Sequence, residues 1–289
     1  IYHMQLGDLT IHLIHAGLTQ ADAGGPFGLV PRALLRRYFE PDANNLVPMS
    51  LNCLYIQTPT QKIIVDTGLG TRLDEKSRAN WGLTYPYGTL TDGLARIGVM
   101  PDDITLVINT HLHADHCAGN MMFAEDGTTI IPTFRNAEYV VQAREMLDAT
   151  HPNERTRSTY SAENWDVLRK NGQMRLLYGD TQLAEGVFGV VAPGHTRGHM
   201  AIKIESMGQH AAFVCDMASF AVHFEKLAWM TSYDIEPILT LETKRAWQQW
   251  ALTHNATLIF PHDTKRPIGK LTYNAKNQLE IIAINETWV

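Results

Sequence analysis

The 289-residue chain has only three cysteines, Cys53, Cys117 and Cys215, and no CxxC pair. That excludes a disulfide framework and a thiolate zinc knuckle, and it suits a reducing compartment. Clustered positive charge is missing too: 24 Lys and Arg lie scattered against 30 Asp and Glu, for a net charge of -6. A nucleic-acid surface needs a dense cationic face, so no nucleic-acid partner is expected, and a small uncharged substrate is easier to accommodate. There is no apolar run of the ~18 residues that span a bilayer, and the opening IYHMQLGDLT lacks the basic and apolar regions of a secretory leader. The reading is a cytoplasmic protein without a membrane partner, although Ile1, standing where an initiator methionine would, leaves a removed leader open. Repeats, low-complexity tracts and Ser/Gly/Pro-rich linkers are also lacking, which predicts one domain over residues 1–289.

What remains is a chain that is 45% hydrophobic, with short β-like runs from end to end. Residues 9–14, 53–56, 62–65, 104–108, 174–177, 187–191, 200–204, 211–214 and 257–260 read as strands, most of them rich in Val and Ile. Helical spacing interrupts them. Pro31 suits the first turn of a helix through Phe39, Leu90, Leu94 and Ile97 share a face before Gly98, and Trp247, Trp250 and Ala251 share one in a segment beginning near Leu241. A strand meander up to Val65 with helices interleaved afterwards predicts an α/β fold of sheets packed face to face, helices outside and the site at one loop edge. The Gly- and Pro-bearing stretch 20–30 reads as a flexible loop, either a pocket cover or an ordinary surface connection.

The run 105–110, TLVINT, ends in His111-Leu-His113-Ala-Asp115-His116, four potential metal ligands within six residues at the end of a buried strand. Histidines two apart on an extended or tightly turned backbone point to one side and share an ion, while Asp115 and His116 project toward a second position. Hydrogen-bonded core histidines would leave unexplained why three imidazoles and a carboxylate crowd one strand end without a cation. Each ion still needs further donors, and later apolar runs deliver them. His195 in Pro193-Gly-His195-Thr-Arg-Gly-His199 follows 187–192, Asp216 ends 211–215, and His262 follows 258–261. Nitrogen and oxygen donors without thiolate suit two divalent ions, Zn2+ first, with manganese, iron or cobalt compatible with the same set.

On these residues, in this order, the chain resembles the metallo-β-lactamase superfamily. The resemblance rests on His111, His113, Asp115 and His116, on the turn bearing His195, on Asp216 and on His262, and it covers most of the chain. It implies an αββα sandwich, two mixed β-sheets with helices on the outer faces, and a dinuclear metal centre at one edge. It further implies His111, His113 and His195 on one ion, Asp115, His116 and His262 on the other, and Asp216 as the bridge. Asp66, in Val65-Asp-Thr-Gly68, matches the DTG-like element and would fix a ligand's tautomer by hydrogen bonding. His199 is given a supporting or structural role rather than ligation, and His3, His12, His15, His151, His210 and His254 are given none. Two cations ~3.5–4 Å apart would hold a bridging hydroxide as nucleophile, with Asp115 in the catalytic group.

Three further segments, Gly25-Pro-Phe-Gly-Leu-Val-Pro31, 153–165 and Trp229-Met-Thr-Ser-Tyr-Asp234, resemble the quorum-quenching lactonases that open N-acyl-homoserine lactones and their organophosphate-hydrolysing relatives. The branch implies a small-molecule lactone, ester or phosphotriester as partner, with an organophosphate triesterase or arylesterase as the alternative to lactone opening. Phe27, Phe220, His223 and Trp229 are the candidates for substrate binding. Lactonases of this branch carry tyrosine three positions after the bridging aspartate, where Ser219 stands here, followed by Phe220. Another residue, His223 for instance, then assists the leaving group, or the substrate needs little assistance. A glyoxalase-type thioesterase is disfavoured by the short stretch after His262, a nuclease by the acidic balance, and a flavodiiron-type oxidoreductase by Ala114, where that group carries Glu. A non-catalytic metal-binding module is a minority reading, and a homodimer is left open.

Overall fold

The computed structural model describes residues 1–284. Two seven-stranded sheets form, and in each the strand order follows the chain. The first holds β1 (Tyr2–Leu6), β2 (Leu9–Asp22), β3 (Leu46–Gln57), β4 (Lys62–Val65), β5 (Leu106–Ile108), β6 (Glu138–Gln142) and β7 (Met174–Leu177). The second holds β8 (Thr181–Ala184), β9 (Val187–Val191), β10 (Met200–Ser206), β11 (Gln209–Phe213), β12 (Thr257–Ile259), β13 (Ile268–Tyr273) and β14 (Leu279–Ala283). Both sheets are mixed. Strands β1 to β4 are antiparallel and β4 to β7 parallel, while in the second sheet the described pair β11 and β12 is parallel within an antiparallel array.

The continuous apolar runs have a simple cause. In β3, Leu54 and Ile56 face the second sheet while Cys53 and Tyr55 face outward, and in β4 Ile63 and Val65 face inward while Ile64 faces outward. Both faces are covered, so neighbouring positions are all apolar instead of alternating with polar ones. Helix α1 (Leu90–Arg96), opened by a capping box of Thr89 and Asp92, lays Leu90 and Leu94 on the outer face of the first sheet. Helix α2 (Ala143–Thr150) follows β6. On the outer face of the second sheet, α3 (Pro237–His254) packs Trp247 and Ala251. The order is helix, sheet, sheet, helix. No helix among the described residues is long and apolar enough to cross a membrane.

Several local expectations change. Strand β2 continues through a bulge between His15 and Leu18 as far as Asp22, so the expected loop at 20–30 begins inside a strand. It then makes one helical turn, Gly24–Phe27, with Phe27 buried. The helix expected from Pro31 to Phe39 is a single turn, Arg32–Leu35, and α3 starts at Pro237 rather than near Leu241, with proline in its first turn. Strands β1, β6, β8, β13 and β14 and helix α2 were not foreseen. Several of these are half-polar or mixed in pattern, and their pairing across the sheet outweighs a weak local signal.

Strand direction builds the functional edge. Parallel β4 and β5 end side by side at Val65 and Ile108, and parallel β11 and β12 end together at Phe213 and Ile259. Strand β3 links the two sheets at this edge, because Ser50 N–H donates to the His262 carbonyl and Asn52 N–H to the Pro261 carbonyl, each at 3.0 Å.

Candidate metal centre

After β5 the chain bends at Thr110, passes an extended His113 and turns into the short helix Ala114–Cys117, which carries Asp115 and His116. Asp66, just past β4, holds this segment from behind. Its carboxylate accepts the Thr110 N–H at 2.9 Å and the Thr110 hydroxyl at 2.8 Å, and it lies 2.9 Å from His116 Nδ1. Asp66 has a φ of 56°, a left-handed conformation that aspartate tolerates better than most residues.

On the second sheet, His195 sits in the turn between β9 and β10. Gly194 precedes it with φ 135°, and a Cβ there would lie 2.4 Å from the Thr240 nitrogen of α3, so only glycine lets the turn approach that helix. His199 Nδ1 donates to the Ala192 carbonyl at 2.9 Å, and its Nε2 accepts the Asp216 N–H at 3.1 Å. With both nitrogens engaged, His199 clamps the backbone of Asp216 and has no donor left for an ion. Burial holds its pKa down to about 3, so the ring is neutral, as that bonding requires.

The strand ends bring two groups together: His111 with His113 and His195, and Asp115 with His116 and His262, each with ligand atoms within 4.8 Å of one another. Asp216 stands between them. Its Oδ2 lies 3.3 Å from Nε2 of both His195 and His116, and its Oδ1 lies 3.2 Å from Nε2 of His262. Cys215 also neighbours His111 and His116, but its thiol faces their Nδ1 atoms from behind and contacts Thr110 and Asp66 instead.

The donor chemistry tests whether cations fit. His116, His195 and His262 each aim Nδ1 at an acceptor: Asp66 at 2.9 Å, Asp234 at 2.8 Å and the Ser50 carbonyl at 2.7 Å. Those nitrogens therefore carry the protons, and the Nε2 lone pairs face the cluster. Lone pairs of His116 and His262 meet at 3.2 Å, His195 Nε2 lies 3.1 Å from His113 Nδ1, and His111 Nε2 is buried with no hydrogen-bond partner among the described residues. Neutral imidazoles so arranged repel one another, and cations between them remove the conflict. Titration points the same way. Burial and neighbouring imidazoles hold His111 and His113 well below the ordinary histidine range. Burial also disfavours charge on His116 and His195, but Asp216 with other acceptors outweighs it and raises both. The cluster thus attracts positive charge, which protons supply when cations do not.

A cavity of about 200 Å³ opens over these residues, with His113, Asp115, His195, Asp216 and His262 on its floor. Ala21, Pro26, Met49, Trp81 and Tyr233 provide apolar wall, and Ser158, Thr159, Ser219 and Thr231 polar rim. The four residues expected to bind substrate are not in its lining. Phe27, Phe220 and His223 are buried behind it, with Phe27 4.9 Å from Phe220 and 5.2 Å from His223 between ring centroids. Trp229 packs edge-on against Tyr38 instead. Apolar side chains pulled into the core look the same in sequence as those lining a pocket, so the pattern alone does not tell Phe27, Phe220 and Trp229 from the cavity's apolar wall. Asp234 closes the segment 229–234 singled out in the sequence, but nothing there gave it a role, and the Ser50 carbonyl, being backbone, leaves no mark in sequence.

Comparison with known proteins agrees with this geometry. The chain is 25% identical over 240 residues to an N-acyl homoserine lactonase of Bacillus sp., covering 78% of this chain and 85% of that one. A probable metal-dependent hydrolase from Staphylococcus aureus superposes with a TM-score of 0.87 at 28% identity, covering 99% of this chain and 100% of the other. AidC, a dizinc quorum-quenching lactonase, has the same fold with a TM-score of 0.80 at 20% identity, covering 99% of this chain and 98% of its own. The sequence pattern of the metallo-β-lactamase superfamily matches residues 46–227, from β3 through His111 and Asp216. With that match over more than half its length, and two mixed sheets bearing the histidine cluster at one edge, the chain belongs to the metallo-β-lactamase superfamily.

Proposed function

We propose that this protein is a two-metal hydrolase that opens the lactone ring of N-acyl-homoserine lactones. The observation that carries this reading is the pair of ligand groups on either side of Asp216, at the floor of a cavity with one apolar wall. His111, His113 and His195 would hold one ion and Asp115, His116 and His262 the other, with Asp216 standing between the two groups. Imidazole and carboxylate donors suit Zn2+. Ions bound there make water nucleophilic at neutral pH and draw electron density from a carbonyl oxygen.

The chain's own residues set the geometry. Asp66, Asp234 and the Ser50 carbonyl lock three imidazoles with their lone pairs inward. The lactone head lies over the floor, and its acyl chain lies along Pro26, Met49 and Trp81, displacing water from apolar surface. Asp115 is the ligand candidate most open to the cavity, with Oδ2 3.6 Å from Nε2 of His116 and of His262. Its Oδ1 takes the proton from the attacking water and returns it to the ring oxygen as the C–O bond breaks. One lactone and one water give one hydroxy acid. The naming of the Bacillus relative and of AidC as lactonases supports the substrate class.

The test compares purified, Zn2+-loaded protein on a long-chain N-acyl-homoserine lactone, a simple aryl ester and an aryl phosphotriester. Ring opening is expected to have the highest kcat/KM. Ring opening orders of magnitude slower than the other two reactions would overturn the lactone reading in favour of an esterase or triesterase.

A further inference from the structure

Glu145, in the first turn of α2, is a carboxylate with 0% exposure whose described hydrogen-bond partners are all uncharged donors. Burying such a group costs free energy that an apolar side chain of similar size would not, so its bonds need a purpose that packing does not serve. Those bonds go to three separate segments. Oε1 accepts the N–H of Leu112, between His111 and His113, at 3.0 Å. Oε2 accepts the hydroxyl of Thr196, the residue after His195, at 2.5 Å. Oε1 also accepts the Tyr160 hydroxyl at 3.1 Å, and the Tyr160 ring lies 5.2 Å from that of His113. The contact is close on the other side as well, because a Cβ on Gly198 would come within 2.3 Å of the Glu145 nitrogen.

The segments tied to Glu145 carry His111, His113 and His195, which come from two different sheets. None of its bonds leads to His116 or His262, which are held by Asp66 and the Ser50 carbonyl. We infer that Glu145 is a positioning residue for one ion only: it sets the distance between the 111–113 loop and the 195–196 turn, and so the affinity of the His111, His113 and His195 group. This rests on the two-ion reading above.

The two groups are separated by working in chains that keep only one of them. His262→Ala removes a donor from the second group, and His113→Ala one from the first. Affinity for Zn2+ is measured by competition with a chromophoric chelator, and folding by far-UV circular dichroism. In the His262→Ala chain, adding Glu145→Ala is expected to weaken the remaining ion at least about tenfold. In the His113→Ala chain the same change is expected to alter affinity less than about twofold. Glu145→Gln retains Oε1 for Leu112 and Tyr160 and turns its amide to Thr196, whose hydroxyl then accepts, so it should restore most of the affinity.

Equal weakening in both backgrounds, no weakening in either, or Glu145→Gln as damaging as Glu145→Ala would overturn the assignment. Should Glu145→Ala not fold, Thr196→Val removes one of the three bonds, and the same selective loss is required of it. If the unsubstituted protein binds one equivalent or none, the two-ion reading fails. The readout is metal affinity rather than turnover, so failure of the lactone assignment leaves this result intact.

Discussion

Nδ1 of His195 lies 2.8 Å from Oδ1 of Asp234, and the same oxygen accepts the Thr231 hydroxyl at 2.8 Å. Asp234 is buried, and its other oxygen has no hydrogen-bond partner among the described residues. Its described side-chain bonds therefore serve to orient one imidazole and the strut that holds it. Under the proposed two-metal reading, Asp234→Ala should leave His195 free to rotate and weaken metal binding through its Nε2 about 10- to 100-fold, the usual effect of removing such a support. Asp234→Asn retains an acceptor and should lose less. Chelator competition measures both, and unchanged affinity in Asp234→Ala would remove Asp234 from the centre.

The thiols should be inert. Cys53, Cys117 and Cys215 are buried, and burial raises all three well above the ordinary thiol range. Iodoacetamide at pH 8 should therefore label none of them in the folded protein and leave metal affinity unchanged, while urea-unfolded chain takes up three equivalents. Mass spectrometry counts the adducts. Rapid labelling of Cys215 in the native state would mean that the wall between it and the cavity opens.

Lys244 supplies a pH dependence away from the metal centre. Its ammonium is buried under α3, donating to the carbonyls of His223 at 3.0 Å and Trp229 at 2.6 Å, and burial lowers its pKa from 10.5 to about 8. The folded state thus binds this proton less tightly than the unfolded chain. Between pH 8 and 10.5 the unfolded state holds more protons, so folding stability from this residue rises with pH across that window and is lowest below it. The stability difference between the native chain and Lys244→Met should rise by about 3 kcal/mol from pH 7 to pH 10.5. Urea titrations across that range measure it. A flat difference would mean that the ammonium is solvated, and a falling one that its carbonyl acceptors outweigh burial and raise its pKa; either would overturn the expected sign.

How much of this was legible in sequence depended on whether function coincided with pattern. His111 to His116 stood out because four ligand types follow one apolar run, and His195, Asp216 and His262 because each lies just past another such run. The two-sheet architecture followed from a strand meander up to Val65 with helices interleaved after it. Glu145 gave no such signal: an isolated acid in a polar segment looks like a solvated surface residue, and only the tertiary fold buries it. Asp234 stood inside a segment that resembles the lactonase branch, but nothing in sequence tied it to His195. The same gap affects the pocket. Phe27 and Tyr233 both lie in segments that resemble the lactonase branch, yet Phe27 is core and Tyr233 lines the cavity, and Trp81 reaches it from a turn-rich, polar stretch.

The difference between expected and observed lining leads to a paired experiment on Trp81 and Phe27. Trp81 is only partly buried, forms apolar wall of the cavity and packs its inner side against the outer core cluster of the first sheet. Under the proposed function, Trp81→Ala should raise KM for a long-chain N-acyl-homoserine lactone at least about tenfold, the scale of 1–3 kcal/mol of lost apolar contact, with a smaller loss of Tm than Phe27→Ala. Phe27 is 1% exposed, with Phe39, Phe220 and His223 rings around it at 4.9 to 5.4 Å between centroids. Phe27→Ala leaves a cavity in that cluster and should cost about 3–5 kcal/mol of stability, with KM close to that of the native chain in the fraction that stays folded. The reverse pattern, a KM that follows Phe27 and ignores Trp81, would return the acyl chain to the aromatic cluster. It would also require the turn Gly24–Phe27 to move aside on binding, since in this conformation Phe27 is sealed from the cavity.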